Sequence, residues 1–221
     1  MKYEYGNWII VALNFFIFVT FLKSVFKPRT KIDWQTFRIF SAFLAALFAE
    51  MYGFPLTIYL LTSFFGNRFF NLDFSHDSGH LLNKFFNIGG DPHFNLIHLV
   101  SYGLIAGGFI LIASAWKVLY NARKQKKLAV TGVYHYIRHP QYSGFILIIL
   151  GFLLQWPTII TLLMAPVLIF RYSKLACEEE KEMTKKYKEE YTEYKNKIPT
   201  FFPSISILVF DLIKKRLNRY V

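Results

Sequence analysis

In "GVYHYIRHPQYSG", residues 132–144, six side chains that can hydrogen-bond or titrate, Tyr134, His135, Arg138, His139, Gln141 and Tyr142, stand at the mouth of a long apolar run. The run extends to Phe170 without an Asp, Glu, Lys or Arg, and a second polar group follows it: Arg171, Lys174, Glu178, Glu179 and Glu180. Carboxylates at such a place can accept hydrogen bonds or pair with a cation, imidazoles can donate or accept, and an arginine can hold a carboxylate. Ionisable groups at the edge of hydrocarbon are costly unless they pair or serve a ligand. Interfacial anchoring and helix capping would account for Arg138 alone. They require neither a proline after His139, nor Gly132 before the tyrosine, nor three consecutive glutamates facing the returning chain.

Bringing the two groups together needs a reversal between them. Pro157, in "QWPT" (155–158), cannot continue a helix without losing a backbone bond, so the run divides into helices over roughly 141–155 and 158–175. Each apolar half, about 16 residues or about 24 Å by helical rise, falls short of the roughly 30 Å hydrocarbon core. The expected form is a helical hairpin packed against other helices, with residues 132–142 beside residues 171–187. Arg171 and Glu178, two turns apart, share a face.

The remaining elements frame that hairpin. Of 221 residues 54% are hydrophobic and 18% charged, and the apolar residues come in blocks, the profile of a membrane protein. Tyr5 to Leu22 carries no formal charge and is long enough to span; no cleavage site follows it, so it reads as a retained helix. Ile39 to Asn67 is a longer stretch interrupted by Glu50, with a kink expected at Pro55, and His93 to Trp116 is a third. The fold expected is all-α and integral to the membrane, with about five transmembrane helices, a C-terminal helical hairpin and cytoplasmic amphipathic helices. The net charge of +12 flanks the apolar runs, which points to anionic lipid headgroups and away from nucleic acid. Basic linkers at 23–38 and 117–138 place those loops, the polar clusters and the C-terminus on the cytoplasmic side, with the N-terminus outside. Residues 177–197 read as a charged surface helix with a stripe of Tyr187, Tyr191 and Tyr194, and 204–221 as an interfacial amphipathic helix. Three regions result: an N-terminal two-helix part with its outside linker (1–90), a core (91–203) and the terminal helix (204–221). The single cysteine, Cys177, allows no intramolecular disulfide.

The set Gly132, Tyr134, Arg138, His139, Pro140, Tyr142 and Gly144, an apolar hairpin, Glu179 and Glu180, then Tyr187, Tyr191, Tyr194, Pro199 and Pro203, resembles the isoprenylcysteine carboxyl methyltransferase family and its relatives among membrane methyltransferases, phospholipid methyltransferases included. The resemblance covers about residues 95–203 and is specific as a set. It implies S-adenosylmethionine as methyl donor, held by Tyr134, His139, Pro140, Tyr142, Glu179 and Glu180, and a lipophilic small molecule or lipid as acceptor, such as the carboxylate of an isoprenylcysteine-like molecule. A carboxylate acceptor needs a cation, for which Arg171 comes first and Arg138 second. An amine needs a base, which falls to Glu178 or Glu180. Two departures stand out. Lys188 occupies a position where the family often has glycine, a change a helix would accept without harm, and Leu175, Ala176 and Cys177 stand where an arginine often precedes the acidic pair. The alternatives are an NADPH-dependent membrane reductase related to sterol reductases, or a non-enzymatic membrane subunit. His76 and His80 sit at i, i+4 but no further ligand pattern follows, so no metal is expected. Glu50 either lines the acceptor path or serves as a structural carboxylate bonded to a neighbouring helix.

Overall fold

The computed structural model describes residues 5–66 and 72–204, and all regular structure within them is helical. The expected interfacial helix over 204–221 lies, save for Ser204, outside the described residues. Helix α1, Trp8–Phe26, is apolar all round and leaves Ile9 and Phe16 largely exposed, as a lipid-facing helix does. Helix α2, Lys31–Phe48, begins where a capping box predicts: the Thr30 hydroxyl accepts from the Asp33 N–H and the Asp33 carboxylate accepts from the Thr30 N–H. It passes into a π-helical turn, Ala49–Gly53, and bends by 65° into α3, Leu56–Phe65, at the Pro55 break expected from sequence. Glu50 is buried there, and one of its oxygens accepts the Thr57 N–H at 2.9 Å. That bond runs across its own kink, not to a neighbouring helix, and the other oxygen is buried without a hydrogen-bond partner.

A connecting segment includes the short α4, Leu81–Phe85, and leads to α5, Leu96–Gln125. Then come α6, Pro140–Gln155, and α7, Ile159–Lys197. The proline break falls as expected, with Thr158 capping α7 through its bonds to Thr161. The charged stretch after Cys177, however, is not a separate surface helix. It continues the last membrane helix up to a kink at Lys188, because the change from apolar to charged residues after Cys177 keeps the helical period and supplies no proline or glycine there.

Among the described residues three helices, α1, α5 and α7, are long and apolar enough to cross a membrane, and the bent α2–α3 pair makes a fourth where it is counted as one span. Helix α6, with 16 residues, is too short by length alone, so the count is three to four where about five were expected. The chain is an all-α integral membrane protein. Helix α6 packs chiefly on α5, and only secondarily on its hairpin partner α7, which lies against α2. The reason is backbone proximity: a Cβ added at Gly108 would stand 2.6 Å from the Gly144 carbonyl oxygen. Small residues of this kind let membrane helices approach closely. Gly107, the residue before it, faces open space. At the hub Phe145 meets Phe40 and Phe26, with ring centroids at 4.9 and 5.3 Å, and Tyr142 stacks on Tyr172.

Candidate active site

The polar site assembles at the N-terminal end of α6. Pro140 occupies the first turn of that helix, where its missing N–H is no loss, and His139 is the residue before it. The chain after α7 returns along this turn. The Arg138 N–H donates to the Pro199 carbonyl at 2.9 Å, the His139 N–H to the Thr200 carbonyl at 3.0 Å, and the Ser143 hydroxyl to the Phe201 carbonyl at 2.7 Å. The closing "IPTFFP" is therefore a strap across the site.

Arg138 anchors that strap. Its Nε and Nη2 lie 3.0 and 2.9 Å from Glu180 Oε1, Nη1 donates to the Lys195 and Ile198 carbonyls, and Nη2 donates to the Thr200 hydroxyl. Both side chains are almost buried. Glu180 also receives Lys195 Nζ at 2.7 Å and His139 Nε2 at 3.2 Å, so three cationic or donor groups surround it.

Glu179 faces differently. It accepts the Tyr142 hydroxyl at 2.8 Å and the Gln141 amide at 3.2 Å, while Gln141 accepts the Tyr134 hydroxyl at 3.0 Å. His139 Nδ1 lies 3.4 Å from Glu179, is buried and has no hydrogen bond. Burial works against a charge on this imidazole, but the two carboxylates beside it outweigh burial and raise its pKa above the ordinary histidine value.

Above these groups lies a cavity of about 340 Å³, within the range of roughly 300–1,000 Å³ usual for small-molecule sites. Tyr134, Arg138, His139, Gln141 and Glu179 line one side and Tyr187, Tyr191 and Tyr194 another. The tyrosine stripe thus packs on the 127–138 segment, not on the hairpin or the headgroup layer: the Tyr187 hydroxyl donates to the Lys127 carbonyl and the Tyr194 hydroxyl to the Tyr134 carbonyl, at 3.0 and 2.6 Å. Arg123, Glu182 and Met183 also line the cavity, and sequence reading did not single them out. Arg123 reaches it because α5 continues past its apolar part to Gln125, where Arg123 pairs with Asp33 at 3.1 Å. Of the expected residues, Pro140, Tyr142, Arg171, Glu178 and Glu180 are not among its lining, Tyr142 reaching it only through its bond to Glu179. Arg171 is eight residues before Glu179, about 12 Å along α7.

Residues 96–190 match the phospholipid methyltransferase family. This family is of the isoprenylcysteine carboxyl methyltransferase type, so the resemblance read from the motif is upheld, and the match supports a membrane methyltransferase. No curated protein matches the chain significantly. The matched segment contains α5, α6, the His139–Pro140 turn and the acidic pair.

Lys188 corrects one expectation. It has φ 47° and ψ −117° and breaks α7 between Tyr187 and Tyr191, so the position is not ordinary helix. Left-handed backbone costs an L-residue roughly 1–2 kcal/mol, which explains a glycine there in the resembling family. Lys188→Gly is expected to stabilise the protein by about 1 kcal/mol, raising the melting temperature in detergent by roughly 2–4 °C. An unchanged or lower melting temperature would mean that the lysine is not strained.

Proposed function

We propose that the cavity beside Glu179 binds S-adenosylmethionine and that the protein transfers its methyl group to a lipophilic acceptor entering between the helices. The observation that carries this reading is the pocket in which one carboxylate, Glu179, the buried His139 Nδ1 3.4 Å from it and a wall of tyrosines converge. A cationic donor with ribose hydroxyls and an amino group fits that set: Glu179 offers acceptor oxygens and negative charge, Gln141 and His139 offer polar atoms, and the tyrosine rings offer flat apolar faces. When bound, the donor supplies an electrophilic methyl group on a positively charged sulfur. The chain then has to align the acceptor and exclude water. The strap at 199–201 and the tyrosine face do the second, by covering the turn from the aqueous side.

The acceptor we favour reaches the site already ionised, a lipophilic carboxylate such as that of an isoprenylcysteine-like molecule. An amine must lose a proton, and the two bases read from sequence are poorly suited to take it. Glu180 is held by Arg138, His139 and Lys195, and Glu178 does not line the cavity. Arg138 does not serve the acceptor carboxylate either, since its donors are engaged with Glu180 and the strap. Of the two cations read from sequence Arg171 is left: it is half-buried on α7 and, like Glu178, stands outside the cavity lining, which itself carries Arg123, Lys127 and Lys186.

The test is transfer of a radiolabelled methyl group from S-adenosylmethionine by purified protein in lipid nanodiscs, with a prenylated cysteine, phosphatidylethanolamine and an alkyl thiol offered separately. Labelling of the prenylated cysteine, reduced at least about 10-fold in Arg171→Leu, is the expected result. Labelling of phosphatidylethanolamine alone would reassign the acceptor. NADPH binding without methyl transfer would replace the reading altogether.

A further inference from the structure

A second constellation of titratable groups lies at the other end of α6, about 24 Å from His139 by helical rise. His76 and His80 flank a 3₁₀ turn, His93 follows a chain reversal at Gly89–Gly90, and His98 opens the first turn of α5. The turn is pressed onto Trp156, since a Cβ at Gly79 would fall 1.9 Å from the indole, and this close approach brings the imidazoles together. The ring centroids of His80 lie 4.8 Å from His93 and 4.7 Å from His98, and those of His76 lie 6.0 Å from His80 and 6.1 Å from His93. One nitrogen from each of His76, His80 and His93 lies within 4.8 Å of the others.

The hydrogen bonds around these rings decide what they can do. His80 Nδ1 lies 3.0 Å from the Gln155 carbonyl and must donate to it, which leaves Nε2 with its lone pair; that atom is buried and has no partner. His93 Nδ1 lies 2.9 Å from Asp91 Oδ1, and His76 bonds the Met51 carbonyl. In each ring, then, one nitrogen faces an oxygen acceptor that orients it and can fix its tautomer, the outer-shell arrangement of metal-ligating histidines. As aromatic packing alone, the cluster would bury His80 Nε2 and both nitrogens of His98 with nothing to bond, a cost of about 1–3 kcal/mol for each such group.

We propose that His76, His80 and His93 bind one first-row divalent transition-metal ion such as Zn²⁺, with His98 beside it, and that the ion ties the turn at His76–Gly79 to the stretch around His93, next to the Gln155–Trp156 end of α6. The proposal departs from the expectation of no metal, which rested on His76 and His80 alone because only folding brings His93 to the pair. Nitrogens on a tetrahedral ion at about 2.0–2.1 Å stand roughly 3.3 Å apart, so the rings need to close by about 1.5 Å at most. An open cavity of about 980 Å³, lined by Asp73, His76, Asp77, Asp91 and His93 among others, gives an ion access from the aqueous phase, and its carboxylates favour a cation. The inference is independent of the methyltransferase reading.

The experiment is calorimetric titration of Zn²⁺ into the tag-free, metal-stripped full chain in detergent. Wild type and His135→Ala, the latter at the opposite end of α6, are expected to bind one equivalent. His76→Ala and His93→Gln should bind at least about 10-fold more weakly, and the double variant should not bind saturably. His93 is partly exposed, so its variant should fold, which far-ultraviolet circular dichroism checks. A Zn²⁺-dependent rise in melting temperature in wild type, absent from the double variant, is the second readout. No saturable binding in wild type, or equal binding in folded His76→Ala and His93→Gln, overturns the proposal.

Discussion

Arg138→Ala is expected to lower stability by about 3 kcal/mol, a fall of roughly 6–12 °C in melting temperature, and to abolish binding of S-adenosylhomocysteine. The size follows from what the guanidinium does. It is almost buried against Glu180 and donates to the Lys195 and Ile198 carbonyls and the Thr200 hydroxyl. Removing one partner of a buried ion pair typically costs about 3–5 kcal/mol, and the lower end applies because His139 and Lys195 still neutralise Glu180. Without the guanidinium, the end of α7 and the strap lose their tie, and with them the face that carries Tyr191 and Tyr194. Arg138→Lys should recover only a small part, since an ammonium cannot reach Glu180, two carbonyls and a hydroxyl in one plane. Thermal denaturation in detergent and calorimetry with S-adenosylhomocysteine measure both effects. Arg138→Ala melting within about 2 °C of wild type would remove Arg138 from this role.

What the sequence conveyed about this site, and what it concealed, divides along physical lines. The apposition of His139 and Tyr142 with Glu179 and Glu180 was legible because Pro157 forces the chain back and polar groups at both ends of an apolar run must find one another. The bend at Pro55 was legible for the same kind of reason, a residue whose backbone permits few alternatives. Arg138 misled, because its partners are backbone carbonyls of the strap as well as Glu180, and a carbonyl acceptor leaves no mark in the sequence. Lys188 misled in the opposite sense, since its side chain suits a helix while its φ of 47° does not. The length of α7 was hidden because a helix that leaves hydrocarbon for water changes its composition without changing its period. The histidine cluster was only half visible: His76 and His80 show helical spacing, but His93 joins them through a reversal that spacing cannot encode.

Glu179→Gln separates donor binding from folding. The glutamine keeps the shape and can still accept the Tyr142 hydroxyl, so the fold is expected to survive with a small loss of stability. The negative charge offered to a cationic donor disappears, and with it about 1.5–3 kcal/mol of charge-assisted bonding, so affinity for S-adenosylmethionine should fall about 10- to 100-fold. A companion effect appears in the pH dependence of stability. Glu179 and Glu180 raise the His139 pKa in the folded protein, so the stabilisation from its protonated form is complete below the unfolded value of about 6.5 and is lost as pH rises through the raised folded value. With one carboxylate removed the folded value drops toward the unfolded one, and melting temperature should depend less on pH across that window in Glu179→Gln than in wild type. Calorimetry and thermal melts from about pH 5.5 to 8.5 give both readouts. A flattened pH profile with donor affinity within twofold of wild type would leave Glu179 as the partner of His139 and move the donor elsewhere in the cavity. Loss of affinity together with the flattened profile ties one carboxylate to both tasks, because Glu180 is taken up by Arg138, which also holds the strap, and by Lys195, whereas Glu179 lines the pocket.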